Sequence, residues 1–341
     1  MRLLQASGLL VVASATVFAC VGDDPVPATG PSSSDAQAGP DTSAPPSASD
    51  AAPGADSAPP PSDAGSDGAP ARRCNPTADF GAPRLVAGLE GPLVAAGARQ
   101  WLDATLTDDE ALLYFSACNS DSNVDATCDI WQASMSAGVA TSVRKVDALS
   151  SSGIFERHPT LSPDGKRVFL LRGTRIHTAQ RTDPLAAFPA PVPVDSLDIP
   201  SGSGQFDTDP FFGRSGKLYF MRGTNAVRTV HYATVGATGI DGARQLAADL
   251  TGLDPVMADA PGNAESLLFL AKLEGGRRVT YTSERTGATW SALGPKLVAA
   301  INDAATSNFV NWVSPDGCRL YFSRGTAIAG PYRIYVSVRP M

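Results

Sequence analysis

The sequence predicts an all-β domain, a five-bladed β-propeller with six blades as the alternative, preceded by a disordered linker. Three observations predict it. A strand–turn–strand unit recurs five times at a spacing of roughly 45 to 57 residues. Its turns carry the residues that tight turns require. The last unit is one strand short, and a strand-like segment stands unpaired at the start of the domain.

The two clearest copies are His158–Leu170 and Asn311–Ser323, which share Ser-Pro-Asp-Gly followed by an apolar run. In Pro163-Asp164-Gly165 and Pro315-Asp316-Gly317, Pro presets φ near −65°, Asp caps the turn, and Gly accepts positive φ. Looser copies are Asp209–Phe220, then Asp254–Met257 leading to Ser266–Leu270, and Leu106–Glu110 leading to Leu112–Ser116. Third strands are read at Cys128–Gln132, Arg175–Thr178, Thr229–Tyr232, Arg278–Tyr281 and Arg333–Val336, and an outer strand at Trp290–Leu297. Ser283–Trp290 also resembles the Asp-box hairpin of sialidase propellers, with Arg285 where the aspartate belongs. Phe80–Val86 reads as the outer strand missing from the last unit, fastening the ring and removing its open edge.

The Ser-Pro-Asp-Gly-x-x-Leu-Tyr-Phe-Ser core and the Ile-Tyr-Val-Ser-Val-Arg strand resemble the TolB-like, WD-type propeller repeats of bacterial envelope proteins, from about Ala78 to Pro340. That resemblance implies architecture and is silent on activity. TolB carries an α/β domain before its propeller, whereas this chain carries a low-complexity segment there.

Ahead of the repeats lie two further regions. Residues 1–19 have Arg2, an apolar stretch from Leu9 to Phe18, and Ala19 before Cys20, the layout of a lipoprotein signal peptide with Cys20 as the lipidated residue. Residues 20–73 are dominated by Ala, Pro, Ser, Gly and Asp, a composition that cannot bury enough apolar surface to offset chain entropy. As a coil this tether spans about 40 Å. Between Val21 and Ala71 it holds eight aspartates and no basic residue, so with a net charge of −7 for the whole chain the domain at 74–341 is close to neutral and has no nucleic-acid footprint. The expected setting is the bacterial cell envelope, with membrane contact through the lipid anchor only, a monomeric state, and an envelope protein or glycan docked on a propeller face.

Without Cys20 four cysteines remain, which allow three pairings in an oxidising compartment. Cys118 and Cys128 flank one hairpin, while Cys74 precedes the closing strand and Cys318 lies in the last unit. The expected pairs are therefore Cys118–Cys128 and Cys74–Cys318.

No cofactor, metal site or catalytic set is expected: there is no His-Glu-x-x-His, Gly-x-Ser-x-Gly or phosphate-loop motif, and the three histidines fall in repeat strands. One constellation can bind. Aligned repeats put Asp103, His158, Asp209, Asp254 and Asn311 at equivalent points of successive inner strands, where they could ring the channel mouth. Two readings compete. In the first, the recurring Asp-Pro or His-Pro pair is a repeat element whose side chain caps a local turn, and the domain is a tethered binding or scaffold module without catalysis. In the second, the channel carboxylates serve a carbohydrate-active enzyme, a glycoside hydrolase or lyase. If Cys20 carries the anchor, Cys20→Ser abolishes metabolic labelling with a radiolabelled fatty acid and moves the protein from the membrane to the soluble fraction.

Overall fold

The computed structural model describes residues 74–75, 78–121, 127–197, 204–224, 228–236, 239–242, 244–245, 267–286, 289–290, 301–326 and 330–341, all within the unit from Gly65 to Met341. Residues 1–73, which contain the expected signal peptide, Cys20 and the tether, lie outside the described residues, as does Asp254.

The chain enters through a two-residue strand, β1 (Arg84–Leu85), and a short helix, α1 (Glu90–Ala95), that the sequence reading did not anticipate. Leu93 of α1 is fully buried beside Trp101, so the helix caps the core of the first sheet. That sheet is β2 (Gln100–Leu106), β3 (Leu112–Cys118), β4 (Cys128–Ser136) and β5 (Val139–Lys145), in that spatial order. The second is β6 (Glu156–Leu161), β7 (Arg167–Arg172), β8 (Arg175–Gln180) and β9 (Val192–Pro193); the third is β10 (Phe206–Phe212), β11 (Lys217–Gly223), β12 (Arg228–Thr234) and β13 (Arg244–Gln245). The fourth has three strands, β14 (Leu267–Glu274), β15 (Arg277–Thr286) and β16 (Thr289–Trp290). The last is β17 (Ser307–Val313), β18 (Arg319–Gly325) and β19 (Tyr332–Val338), completed by β1.

The fold is an all-β, propeller-like array of antiparallel meanders. Among the described residues four blades have their full four strands, where the sequence predicts five; the inner strand expected around Asp254 for the fourth sheet falls outside them.

The middle of each blade explains the continuous apolar runs. In β3, Leu113, Phe115 and Ala117 face the last sheet with Trp312 and Tyr321, while Tyr114 faces the second sheet with Leu161 and Phe188. In β7, Val168 and Leu170 join the first sheet's core and Phe169 joins the third sheet's, beside Leu218 and Phe220. Such strands are apolar on both sides because a blade is covered on both faces. Trp101 and Trp312 take part in this packing between blades.

The turns follow the repeat chemistry. Ser162 Oγ donates to Asp164 Oδ1 at 2.5 Å and accepts the Arg167 amide at 2.9 Å; Ser314 does the same with Asp316 and Arg319. Thr107 and Asp109 reproduce this arrangement at the divergent Thr-Asp-Asp-Glu turn, with Glu110 held at φ 57° where the other copies have Gly. Within the stretch that resembles an Asp-box, β15 and β16 pair antiparallel with Arg285 opposite Trp290.

Closure runs through β1, which pairs antiparallel with β19 as Arg84↔Val336 and Leu85↔Tyr335, with Gly81 N donating to Val338 O at 2.9 Å. Cys74–Cys318 locks the same junction across 244 residues, and Cys118–Cys128 closes the first sheet's hairpin. On the chain-entropy account, removing the long-range bond by Cys74→Ser with Cys318→Ser costs about 5 kcal/mol, and removing the short one about 3 kcal/mol. Equilibrium urea denaturation of the two double variants should rank them in that order.

Candidate functional site

The inner strands share a backbone irregularity at one place. Register shifts fall between Leu102 and Thr105, between Arg157 and Thr160, between Thr208 and Phe211, and between Val310 and Trp312. In the first three the bulge holds a non-glycine residue at positive φ: Asp103 at 60°, His158 at 52° and Asp209 at 51°. Pro159 and Pro210, next in the chain, have no N–H to give a ladder, which suits a bulge. Left-handed backbone at such residues costs on the order of 1–3 kcal/mol each and persists only where surrounding structure enforces it.

The bulges bring three side chains together. His158 Nδ1 lies 3.2 Å from Asp103 Oδ1 and Nε2 lies 2.8 Å from Asp209 Oδ1. Arg157 Nε donates to Asp103 Oδ2 at 3.3 Å, and Thr208 Oγ1 donates to Asp209 Oδ2 at 2.9 Å. Asp103 is enclosed, its side chain 1% exposed, whereas His158 and Asp209 keep 19% and 23%. The Asp103–Nδ1 contact is electrostatic, since Oδ1 lacks a hydrogen bond of good geometry. Burial pushes the Asp209 carboxyl up, but the charge and hydrogen bond of His158, with Arg278 and Thr208, outweigh it and hold the group well below the usual carboxylate range.

These side chains run to neighbouring sheets, and among the bonds described for them the Thr208–Asp209 one is local. Asn311 joins indirectly. Ser323 Oγ donates to Asn311 Oδ1 at 2.6 Å and accepts the Asp103 amide at 3.1 Å, so the polar chain extends from the third sheet through the second and first to the last. Asp254 takes no part in this account because it lies outside the described residues. The four domain cysteines sit in disulfides, and no cluster of His, Cys, Asp and Glu among the described residues is arranged to hold a metal ion.

Several participants were missed in the sequence. Ser116 Oγ accepts the His158 amide at 3.2 Å just as Ser323 accepts that of Asp103, and both serines close a Tyr-Phe-Ser triplet. Each supports the bulge of the next blade. The tripeptide Arg-Gly-Thr, repeated at 172–174, 222–224 and 324–326, marks a second layer. Arg172 pairs with Glu156 at 3.1 Å, Arg222 with Asp207 at 2.7 Å, and Arg324 Nε donates to Asn308 Oδ1 at 2.8 Å, each at the start of an inner strand. Burial raises the Glu156 carboxyl despite its bonds to Ser151 and the charge of Arg172.

Beyond the bulges the inner-strand ends are closed. Arg214 of the third sheet's turn reaches Asp108 of the first at 3.1 Å and Val313 O of the last at 2.9 Å. The cavity beneath, lined by Thr105, Thr160, Phe212 and Trp312, holds about 20 Å³, room for a single water.

No family model and no curated protein matches the chain. Solved structures do. The catalytic domain of the GH62 α-L-arabinofuranosidase from Coprinopsis cinerea is similar at 10% identity and TM-score 0.52, covering 77% of this chain and 97% of that one. The GH62 α-L-arabinofuranosidase of Podospora anserina, solved with cellotriose, is similar at 11% identity and TM-score 0.51, covering 78% and 98%. TolB from Acinetobacter baumannii gives a looser likeness, 11% identity and TM-score 0.39 over 70% of this chain and 55% of that one. The likeness to the first two is one of fold.

Asp209→Asn tests the geometry without reference to function. It removes the charge facing His158 and lowers stability by on the order of 2 kcal/mol near neutral pH. Because the folded carboxyl titrates below its unfolded value, this stabilisation is present above about pH 4 and fades as pH falls further. Denaturation of wild type and variant across that range should show the gap closing on the acid side.

Proposed function

We propose that this chain is an exported, carbohydrate-active five-bladed propeller, held at the envelope through Cys20 and its tether, with glycan engaged over the axial group of Asp103, His158 and Asp209. One observation carries the reading. Three adjacent blades adopt strained backbone at equivalent bulges, and the result is two carboxylates and an imidazole gathered at the axis, with part of the surface of His158 and Asp209 open. Ring assembly alone does not require the strain: the last sheet passes the same point with Asn311 and no positive φ. Carboxylates and imidazole suit the hydroxyls of a sugar, being acceptors and donors in fixed positions.

The fold likeness supports the same class, since two α-L-arabinofuranosidase structures match this chain over nearly their whole length. Two disulfides fit an exported protein in an oxidising compartment. On this reading Asp209, held ionised, serves as the base or as a charge stabiliser, and a protonated carboxylic acid is needed opposite it. Binding without turnover is the second reading, favoured by His158, which already answers both carboxylates.

Calorimetry and a reducing-sugar assay with xylotriose, cellotriose and arabinoxylan separate the outcomes, using the full chain with Asp103→Asn and Asp209→Asn alongside. Sugar release that drops at least about a hundredfold in Asp209→Asn, or about 2.7 kcal/mol of barrier, establishes an enzyme. Binding without release that both variants lose establishes a glycan-binding module. No binding by any of the three sugars rejects the carbohydrate reading and returns the domain to a protein-binding role.

A further inference from the structure

The axial group has a feature that the carbohydrate reading does not require. Both ring nitrogens of His158 face carboxylate oxygens, Asp103 Oδ1 at 3.2 Å and Asp209 Oδ1 at 2.8 Å. An ionised carboxylate only accepts, and a neutral imidazole has one N–H and one lone pair. The ring therefore satisfies both neighbours only as the imidazolium. As the neutral form it turns a lone pair towards one of the two anions.

The remaining groups fix how that matters. From the first sheet His158 is faced by Asp103 and by Ser116, which binds its amide; from the third by Asp209, with Thr208 behind it; and on its own strand Arg157 shares Asp103. Arg278 of the fourth sheet also acts on Asp209. Arg157 and Arg278 offset the charges of Asp103 and Asp209, so what the proton on His158 decides is local: with it each ring nitrogen presents a hydrogen to a carboxylate, and without it one nitrogen turns a lone pair to an anion and His158 no longer answers both.

We propose that His158 is a proton-operated latch on the axial site: protonated, it ties Asp103 to Asp209 and holds three blades closed at the axis, and on losing its proton it releases them and frees both carboxylates for a ligand. The latch regulates the site put forward under the carbohydrate reading and rests on that reading only for the identity of the ligand. Asp209 stays ionised deep into the acid range, so the latch loosens on the alkaline side alone.

Hydrogen exchange of the full chain tests the latch without any ligand. After correction for intrinsic base catalysis, protection of the β2, β6 and β10 amides should fall at least about tenfold between pH 5 and 8 in the wild type, and be low and independent of pH in His158→Gln. Wild-type protection that stays constant over that range overturns the latch. Should His158→Gln fail to fold, Asp209→Asn serves in its place, since it removes one end of the bridge and should flatten the same profile. Xylotriose calorimetry over the same range then separates the two ideas. Affinity that rises with pH in the wild type supports the latch, while affinity indifferent to pH retires it. Absent xylotriose binding with pH-dependent protection intact leaves the latch standing and rejects the carbohydrate reading.

Discussion

Every blade of this domain depends on burial from both sides. Strands such as β3, β7 and β18 are apolar on both faces, so a single sheet has no solvated face and is stable only between two neighbours. A linear stack would always leave two such faces exposed. The ring resolves this, and its stability then rests on the junction where the ends meet: β1 against β19, Trp101 and Trp312 packed across the first and last sheets, and the Cys74–Cys318 bond over them.

The polar axis is the complement of that apolar wall. Inner strands converge and cannot all present apolar residues without leaving their bulged amides unpaired in the interior. Ser116 and Ser323 take the amides of His158 and Asp103, and the side chains of those residues then meet one another. At two junctions support passes in the same direction, β18 holding the bulge of β2 and β3 holding that of β6. The Arg-Gly-Thr layer repeats the principle at the inner-strand starts, burying a guanidinium only where a carboxylate or amide oxygen receives it. Position in the repeat explains why these groups recur; strained backbone and inter-blade contacts explain why Asp103, His158 and Asp209 are more than repeat furniture.

Much of the architecture was legible in the residues themselves. Turn type follows from local chemistry, and Ser-Pro-Asp-Gly has few ways to fold, so hairpins, repeat length and the donated outer strand could be read directly. Cysteine placement on either side of a hairpin and on either side of the closure identified both disulfides. The helix at Glu90–Ala95 escaped notice because six residues with Gly91 and Pro92 carry little helical signal, and the helix exists to place Leu93 over Trp101. Arg157 and the Tyr-Phe-Ser serines escaped too, because their partners lie 42 to 220 residues away.

The sequence by itself determined the elements: which segments are strands, where they turn, which end lends a strand to the other, and that the domain is near neutral. Only the tertiary structure decided what the aligned polar residues do. Turn preferences act within a few residues, whereas the meeting of Asp103, His158 and Asp209 depends on the angle between blades and on the backbone sign of φ at each bulge, which no residue type at those positions specifies. The same Asp-Pro or His-Pro pair that local chemistry assigns to a turn cap becomes a charge bridge because the ring places the three bulges side by side.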